Sequence, residues 1–317
     1  MRKSIISLLG AGTLVVAGVI FTGFGFLNFS SAYPEEGEYS SWLSKIDDST
    51  KINSLMIPGS HDSGALYSIA ELSGKCQDLD IAGQLNVGVR FFDLRLQLYN
   101  NELKVIHGVV DESLLFQDVL SSFSSFLKEH PEEFLLVSIK MEDESVNSKL
   151  SFEDALLGEI SSGAASIWSS STILPETVGE ARGYIHQLSR YADSSIGLAS
   201  YDGWQDPDGA EESNSFELGD YLYVQDHYRL TDASDKQDEI LSTMAHSQDD
   251  DSRLHLNFLS GYLTSSFPPS YAPSIAKTIN PWFISLLEDG KQAPGVYIAD
   301  FVTSDMCEAI IGGNYVA

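Results

Sequence analysis

Ionisable side chains recur in this chain just past short apolar runs. In "NSLMIPGSHDSGALY" the pair His61-Asp62 follows Leu55–Ile57, with Pro58-Gly59 before it and Gly64 after it. The same arrangement puts Asp93 and Arg95 in "GVRFFDLRLQL", His107 in "KVIHG" and Lys140 in "LVSIK". Further along it gives Arg190 in "HQLSRY", Asp226 and Tyr228 in "YVQDHY", and Asp300 in "GVYIADF". Any one of these alone reads as a helix cap, a surface ion pair or a satisfied histidine. As a set they permit chemistry. Two imidazoles can act as general base and general acid near neutral pH. A carboxylate on the other ring nitrogen can orient each of them. An arginine offers phosphate a planar, bidentate and permanently charged partner. The chain carries no nucleophile-elbow serine, HExxH, GxGxxG or Walker loop. The acidic runs Glu142–Glu144 and Asp249–Asp251 could bind cations, but charge runs of this kind read first as solvated faces. The set therefore fits phosphoryl transfer without a metal or another cofactor.

These groups need a scaffold that presents many strand ends on one side. Strands are predicted at Ile52–Met56, Val87–Leu94, Leu103–Ile106, Phe134–Ile139, Gly183–Leu188, Tyr221–Val224, Leu254–Phe258 and Val296–Ile298. Helices are predicted at Leu114–His130, ended by Pro131, and at Tyr271–Glu288, where Pro281 should kink or end a segment. Ser- and Asp-rich stretches at Ser161–Ser171, Ala192–Ser215 and Ser247–Asp251 read as surface loops. Eight buried strands with helical or irregular connections predict an α/β fold, a distorted (β/α)8 TIM-type barrel in a single domain, with its site at the C-terminal strand ends.

The chain has 317 residues, 43% of them hydrophobic, and a formal net charge of −28. That charge argues against nucleic acid as a partner and against electrostatic docking on anionic lipid. "MRK" followed by an uncharged apolar stretch and "SSA" predicts a signal peptide over residues 1–32, leaving 33–317 as the catalytic domain. The apolar stretch is also long enough to span a bilayer, so an uncleaved anchor over residues 5–27 is the alternative. Both readings place the barrel outside the cytosol. The two cysteines, Cys76 and Cys307, are allowed one disulfide there, since the first and last strands of a barrel are neighbours.

The motifs "IPGSHDSGAL", "GVRFFDLRL", "IHG", "SIK", "SRY", "VQDHY" and "YIADF", from about Trp42 to Asp300, resemble those of the bacterial-type phosphatidylinositol-specific phospholipase C, the X-domain family. The resemblance implies a distorted β/α barrel that cleaves phosphatidylinositol, free or within a glycosylphosphatidylinositol anchor, to diacylglycerol and inositol 1,2-cyclic phosphate. It implies His61 as general base oriented by Asp300, His107 as general acid partnered by Asp62, and Arg95 on the phosphoryl oxygens. Lys140, Arg190, Asp226 and Tyr228 would hold inositol hydroxyls. The partner implied is phosphatidylinositol in a membrane surface, with no protein partner and a monomeric enzyme. Two rivals remain. A metal-dependent glycerophosphodiesterase or calcium-dependent phospholipase C would carry a Glu-x-Asp pair where this chain has Asp93 and Arg95. A non-catalytic exported barrel binding inositol lipid or glycan would have lost a histidine or the arginine, and neither is lost. Apolar side chains after the seventh strand, Tyr262, Leu263, Phe267 and Tyr271, with "ALYSIAEL" after the first, are expected to meet the lipid surface.

Overall fold

The computed structural model describes residues 39–67, 74–204, 215–264 and 272–315. All of these lie in one compact unit, Gly37–Ala317. The segments predicted as signal peptide or anchor lie outside the described residues, as do Phe267 and Tyr271. Among the described residues no helix is long and apolar enough to cross a membrane.

In chain order the strands are β1 (Met56–Ser60), β2 (Phe91–Tyr99), β3 (Glu102–His107), β4 (Val110–Leu115), β5 (Leu135–Met141), β6 (Ile185–Arg190) and β7 (Leu198–Ala199). They continue as β8 (Ser215–Leu218), β9 (Leu222–Gln225), β10 (Arg229–Leu230), β11 (Leu254–Phe258), β12 (Tyr262–Leu263) and β13 (Gly295–Ala299). The main helices are α1 (Ile81–Val87), α2 (Phe116–Glu129), α3 (Phe152–Gly163), α4 (Ala233–Asp249), α5 (Ala272–Glu288) and α6 (Ser304–Gly312). The order β7-β6-β5-β2-β1-β13-β11-β9 is parallel throughout, and β8 adds to β9 antiparallel. This is the expected barrel, curled and distorted, with β7 and β8 as the ends of its hydrogen-bonded path among the described residues.

Several expected elements are corrected. The first strand is Met56–Ser60 rather than Ile52–Met56, and Ile52–Ser54 is a 3-10 turn. The expected third barrel strand is β3, which pairs antiparallel with β2 and then with β4 as a hairpin outside the parallel order. The short β7 belongs to the parallel order instead. Pro281 does not end its helix, which runs on through it over Ala272–Glu288. Parts of the expected loops are ordered: α3 runs through Gly163, β7 lies at Leu198–Ala199, and α4 runs through Asp249.

The core forms where the strands' outer faces meet the helices. In α2 the buried residues Phe116, Val119, Leu120, Phe123, Phe126 and Leu127 make one stripe at helical spacing, and Phe123 meets Phe92 of β2 edge-on at 5.0 Å. Gly59 in β1 has no room for a side chain, because a Cβ would lie 2.9 Å from Ile298 Cγ1. That close approach lets β1 sit between β2 and β13 and brings His61 to the rim beside Asp300.

Candidate active site

His61 follows β1 directly, and its backbone N–H donates to Ala299 O at 3.0 Å. The Gln77 amide straps the two strand ends together, donating to His61 O at 2.7 Å and to Ala299 O at 2.9 Å. Asp62 takes a left-handed backbone, φ 42°, a conformation aspartate tolerates better than most residues. Its N–H reaches Asp93 Oδ2 at 3.3 Å, while Ser63 N–H donates to Asp93 O and Asp93 N–H to Ser63 Oγ, both at 2.8 Å. The turn after β1 is thus sewn onto β2.

Strand register sets the cations. Arg95 on β2 pairs with Lys140 on β5, and Lys140 with Arg190 on β6, so three positive groups stand in a row across adjacent strands. Carboxylates surround them. Arg95 Nε lies 3.0 Å from Asp62 Oδ1, Nη2 lies 3.4 Å from Asp93 Oδ2, and Nη1 lies 3.6 Å from Glu142 Oε1. Lys140 Nζ meets Glu142 Oε2 at 3.1 Å. Burial opposes the charge on Asp93, yet Arg95 and Arg190 outweigh it and hold its pKa down at about 2. Burial likewise opposes the Arg95 charge, and Asp62, Asp93 and Glu142 outweigh it, raising the guanidinium well above its ordinary value.

The two histidines are held differently. His61 Nδ1 lies 2.7 Å from Asp300 Oδ1, and Arg95 Nη2 lies 2.9 Å from His61 Nε2. A guanidinium only donates, so Nε2 presents its lone pair and Nδ1 carries the hydrogen to Asp300. Burial lowers the His61 pKa, but Asp300 and Asp62 more than offset it and the net shift is upward. His107 ends the hairpin strand β3. Its Nδ1 lies 2.6 Å from Gly74 O and its Nε2 lies 3.3 Å from Asp62 Oδ2. Asp62, expected as the carboxylate partner of His107, lies against Nε2, the nitrogen that looks into the site, while the Gly74 carbonyl holds Nδ1. Burial raises the Asp62 pKa, and Arg95 and the two histidines only partly offset this.

A cleft of about 590 Å³ opens over these groups and is lined by His61, Arg95, His107, Asp300, Lys140, Asp226 and Tyr228. Arg190 does not line it. It is buried beneath the floor, 3.7 Å over the Trp204 ring and near Asp93 and Asp226, 3.6 and 3.8 Å away. Trp204 Nε1 donates to Asp226 Oδ2 at 3.0 Å and so fixes that carboxylate. Tyr262 lines the cleft beside Tyr228, ring centroids 6.0 Å apart, and Leu263 is half-buried with one side packed against the core. Among the described residues, Val109 lines the cleft and is 96% exposed, and Tyr67, after the turn that carries His61, is exposed as well.

Sequence reasoning missed Glu142, Cys76 and Trp204. Glu142 had a signal: it stands two residues past Lys140 and so shares its side of the strand. Trp204 had none, lying in a stretch that reads as loop. The allowed disulfide is absent. Both thiols are free and buried, Cys76 facing the cleft 3.9 Å from His107 Nδ1 and Cys307 on the inner side of α6. Cys76 can gather ligand atoms with His61 and Asp62 within 4.8 Å. However, Arg95 already contacts both His61 and Asp62, so the positive charge at this point belongs to the guanidinium.

Comparison with known proteins points to one family and one fold. Residues 54–156 match the family described as phosphatidylinositol-specific phospholipase C, X domain. A 1-phosphatidylinositol phosphodiesterase of Staphylococcus aureus is 29% identical over 279 residues, 82% of this chain and 88% of that protein. One from Listeria monocytogenes is 24% identical over 283 residues, 86% of this chain and 84% of that protein. Among solved structures, a variant of the phosphatidylinositol-specific phospholipase C from Staphylococcus aureus superposes with TM-score 0.73 at 25% identity, covering 86% of this chain and 97% of that one. The Listeria monocytogenes enzyme shares the fold at TM-score 0.69 and 21% identity, covering 88% and 99%.

Proposed function

The chain belongs to the phosphatidylinositol-specific phospholipase C X-domain family, and on that premise we propose that it cleaves phosphatidylinositol without a metal ion, giving diacylglycerol and inositol 1,2-cyclic phosphate. One observation carries this reading: Arg95 joins His61 Nε2 to Asp62, and Asp62 in turn faces His107 Nε2. A base, a fixed positive charge and an acid thus adjoin one point in the cleft.

The inositol 2-hydroxyl lies beside the phosphate on C1. His61 Nε2 takes its proton, and the freed oxygen bonds to phosphorus. The bond from phosphorus to the diacylglycerol oxygen breaks, and that oxygen takes a proton from the His107–Asp62 pair. An internal nucleophile avoids the entropy cost of fixing a water molecule. Arg95 faces the charge that gathers on the non-bridging oxygens, already oriented by its carboxylates. Lys140, Asp226 and Tyr228 hold ring hydroxyls by directional hydrogen bonds, and Arg190 keeps Asp226 and Asp93 in place from below. A headgroup without those hydroxyls would leave buried polar groups unpaired, which gives strong discrimination. The enzyme acts as an exported monomer on a lipid surface, with residues 1–32 as its export signal and Tyr67, Val109 and Tyr262 at the membrane.

Substitution tests the pairing of roles. His61→Ala and His107→Ala should each lose about 10²–10⁴ in turnover of phosphatidylinositol. A substrate whose leaving group has a low pKa needs no acid, so it should rescue His107→Ala far more than His61→Ala. Equal rescue of both, or near wild-type turnover by either on the natural lipid, would overturn the assignment.

A further inference from the structure

Two imidazoles meet ring to ring at the N-terminal ends of the strands, the end of the barrel away from the cleft. His246 is in the last turn of α4, and His255 is the second residue of β11. His246 Nδ1 lies 2.8 Å from His255 Nε2. His255 Nδ1 lies 3.1 Å from Arg253 O, a carbonyl that can only accept. Nδ1 of His255 therefore carries the hydrogen, its Nε2 offers a lone pair, and His246 donates to it. Tyr223 of β9 stacks on His246 with centroids 4.1 Å apart and flanks His255 at 5.2 Å. Asp250 caps α4 and brings a carboxylate oxygen within 4.8 Å of both ring nitrogens.

We propose that His246, His255 and Asp250 form a structural site for a borderline divalent transition-metal ion of the zinc class. Two imidazole nitrogens and a carboxylate oxygen are a zinc donor set, with a water able to complete the tetrahedron. The Arg253 carbonyl behind His255 is the kind of outer contact that fixes a ligating tautomer. Asp250 is fixed and ionised: Oδ1 accepts from Ser252 N–H at 2.9 Å and Ser252 Oγ at 2.5 Å, and Oδ2 accepts from Arg253 Nη1 at 2.7 Å. Oδ2 thus keeps a lone pair. The Arg253 charge is shared with Glu217, 3.5 Å away.

An entering ion takes the place of the bridging hydrogen. His246 moves that proton from Nδ1 to Nε2 through water, so both rings stay neutral. The nitrogens must part from 2.8 Å to about 3.3 Å, the spacing two tetrahedral zinc–nitrogen bonds require. His246 and Asp250 are each half-buried, which leaves an entry path, while His255 is closed off. A bound ion would clamp the end of α4 to β11. It would act on stability and stand apart from the chemistry of the cleft.

The test uses the full chain stripped of metal, with zinc alone as the probe. Competition against a chromogenic chelator gives affinity and stoichiometry, and thermal unfolding gives the shift on binding. One tight ion per chain and a raised Tm are expected. His246→Gln, on the half-buried helix end, should weaken that ion at least about 10-fold and abolish the Tm shift. His61→Ala, which removes the nitrogen most able to draw zinc into the cleft, should keep both. Absence of a Tm shift in the wild type, or loss in His61→Ala with retention in His246→Gln, would overturn the proposal.

Discussion

In the proposed mechanism Arg95 is the side chain on which the chemistry turns, because its three nitrogens reach His61, Asp62, Asp93 and Glu142. That fork fixes both where the charge sits and how His61 faces the cleft. Lysine keeps the charge and loses the geometry. Arg95→Lys is therefore expected to lose about 10² or more in kcat, the scale of one preorganised donor, and Arg95→Ala more. Steady-state kinetics with near wild-type turnover by Arg95→Lys would contradict this. The pH profile follows from His61. Asp300 and Asp62 raise its pKa against the opposing effect of burial. A protonated His61 cannot accept the hydroxyl proton, so activity is lost as pH falls through that raised value. The acid limb of kcat/KM should lie above the ordinary imidazole value of about 6.5. In Asp300→Asn the opposing burial is left less balanced, and the limb should move to lower pH while the maximum falls. An unmoved limb would show that another group sets it.

Element by element, much of the site was legible because strand ends in a barrel gather whatever follows them. His61, Asp226 and Asp300 each stand just past a short buried strand, and the sequence reading located them correctly. The first strand was misplaced because Pro58-Gly59 reads as a stop. Proline is tolerated there since only Gly59 and Ser60 of β1 pair with β2. The hairpin β3–β4 was read as a barrel strand, although it carried a signal. Asn100-Asn101, both at positive φ (53° and 65°), join β2 and β3 as a two-residue turn of the kind that closes hairpins. What sequence could not reveal is how that hairpin, and His107 with it, is seated against the turn after β1. Gly64 does this: a Cβ there would lie 2.6 Å from Val105 Cγ1 in β3. Gly64→Ala should cost about 1–3 kcal/mol by overpacking and reduce activity by shifting His107 relative to His61. Adding Val105→Ala should restore activity. Denaturation and kinetics on the two variants check this, and a Gly64→Ala enzyme as active as wild type would refute the coupling.

The molecule as a whole carries a formal net charge of −28, so anionic lipid repels it and apolar rim groups must supply any adhesion. Val109, next to the catalytic hairpin and almost fully exposed, is one such group. Val109→Ser should weaken vesicle binding several-fold, for a loss of about 1 kcal/mol of apolar burial. Binding should change little as salt is raised from low to physiological levels; binding abolished by that change would favour electrostatic docking instead. The same whole-chain view separates the cleft, where Arg95 supplies the positive charge, from the histidine pair at the far end of the barrel. The measurement that bears most directly on the catalytic reading is incubation of the purified chain with inositol-labelled phosphatidylinositol in excess EDTA, followed by identification of the water-soluble product. Inositol 1,2-cyclic phosphate should appear at a rate that EDTA leaves intact and added calcium does not raise. Strict dependence on calcium, or release of no inositol phosphate at all, would contradict it.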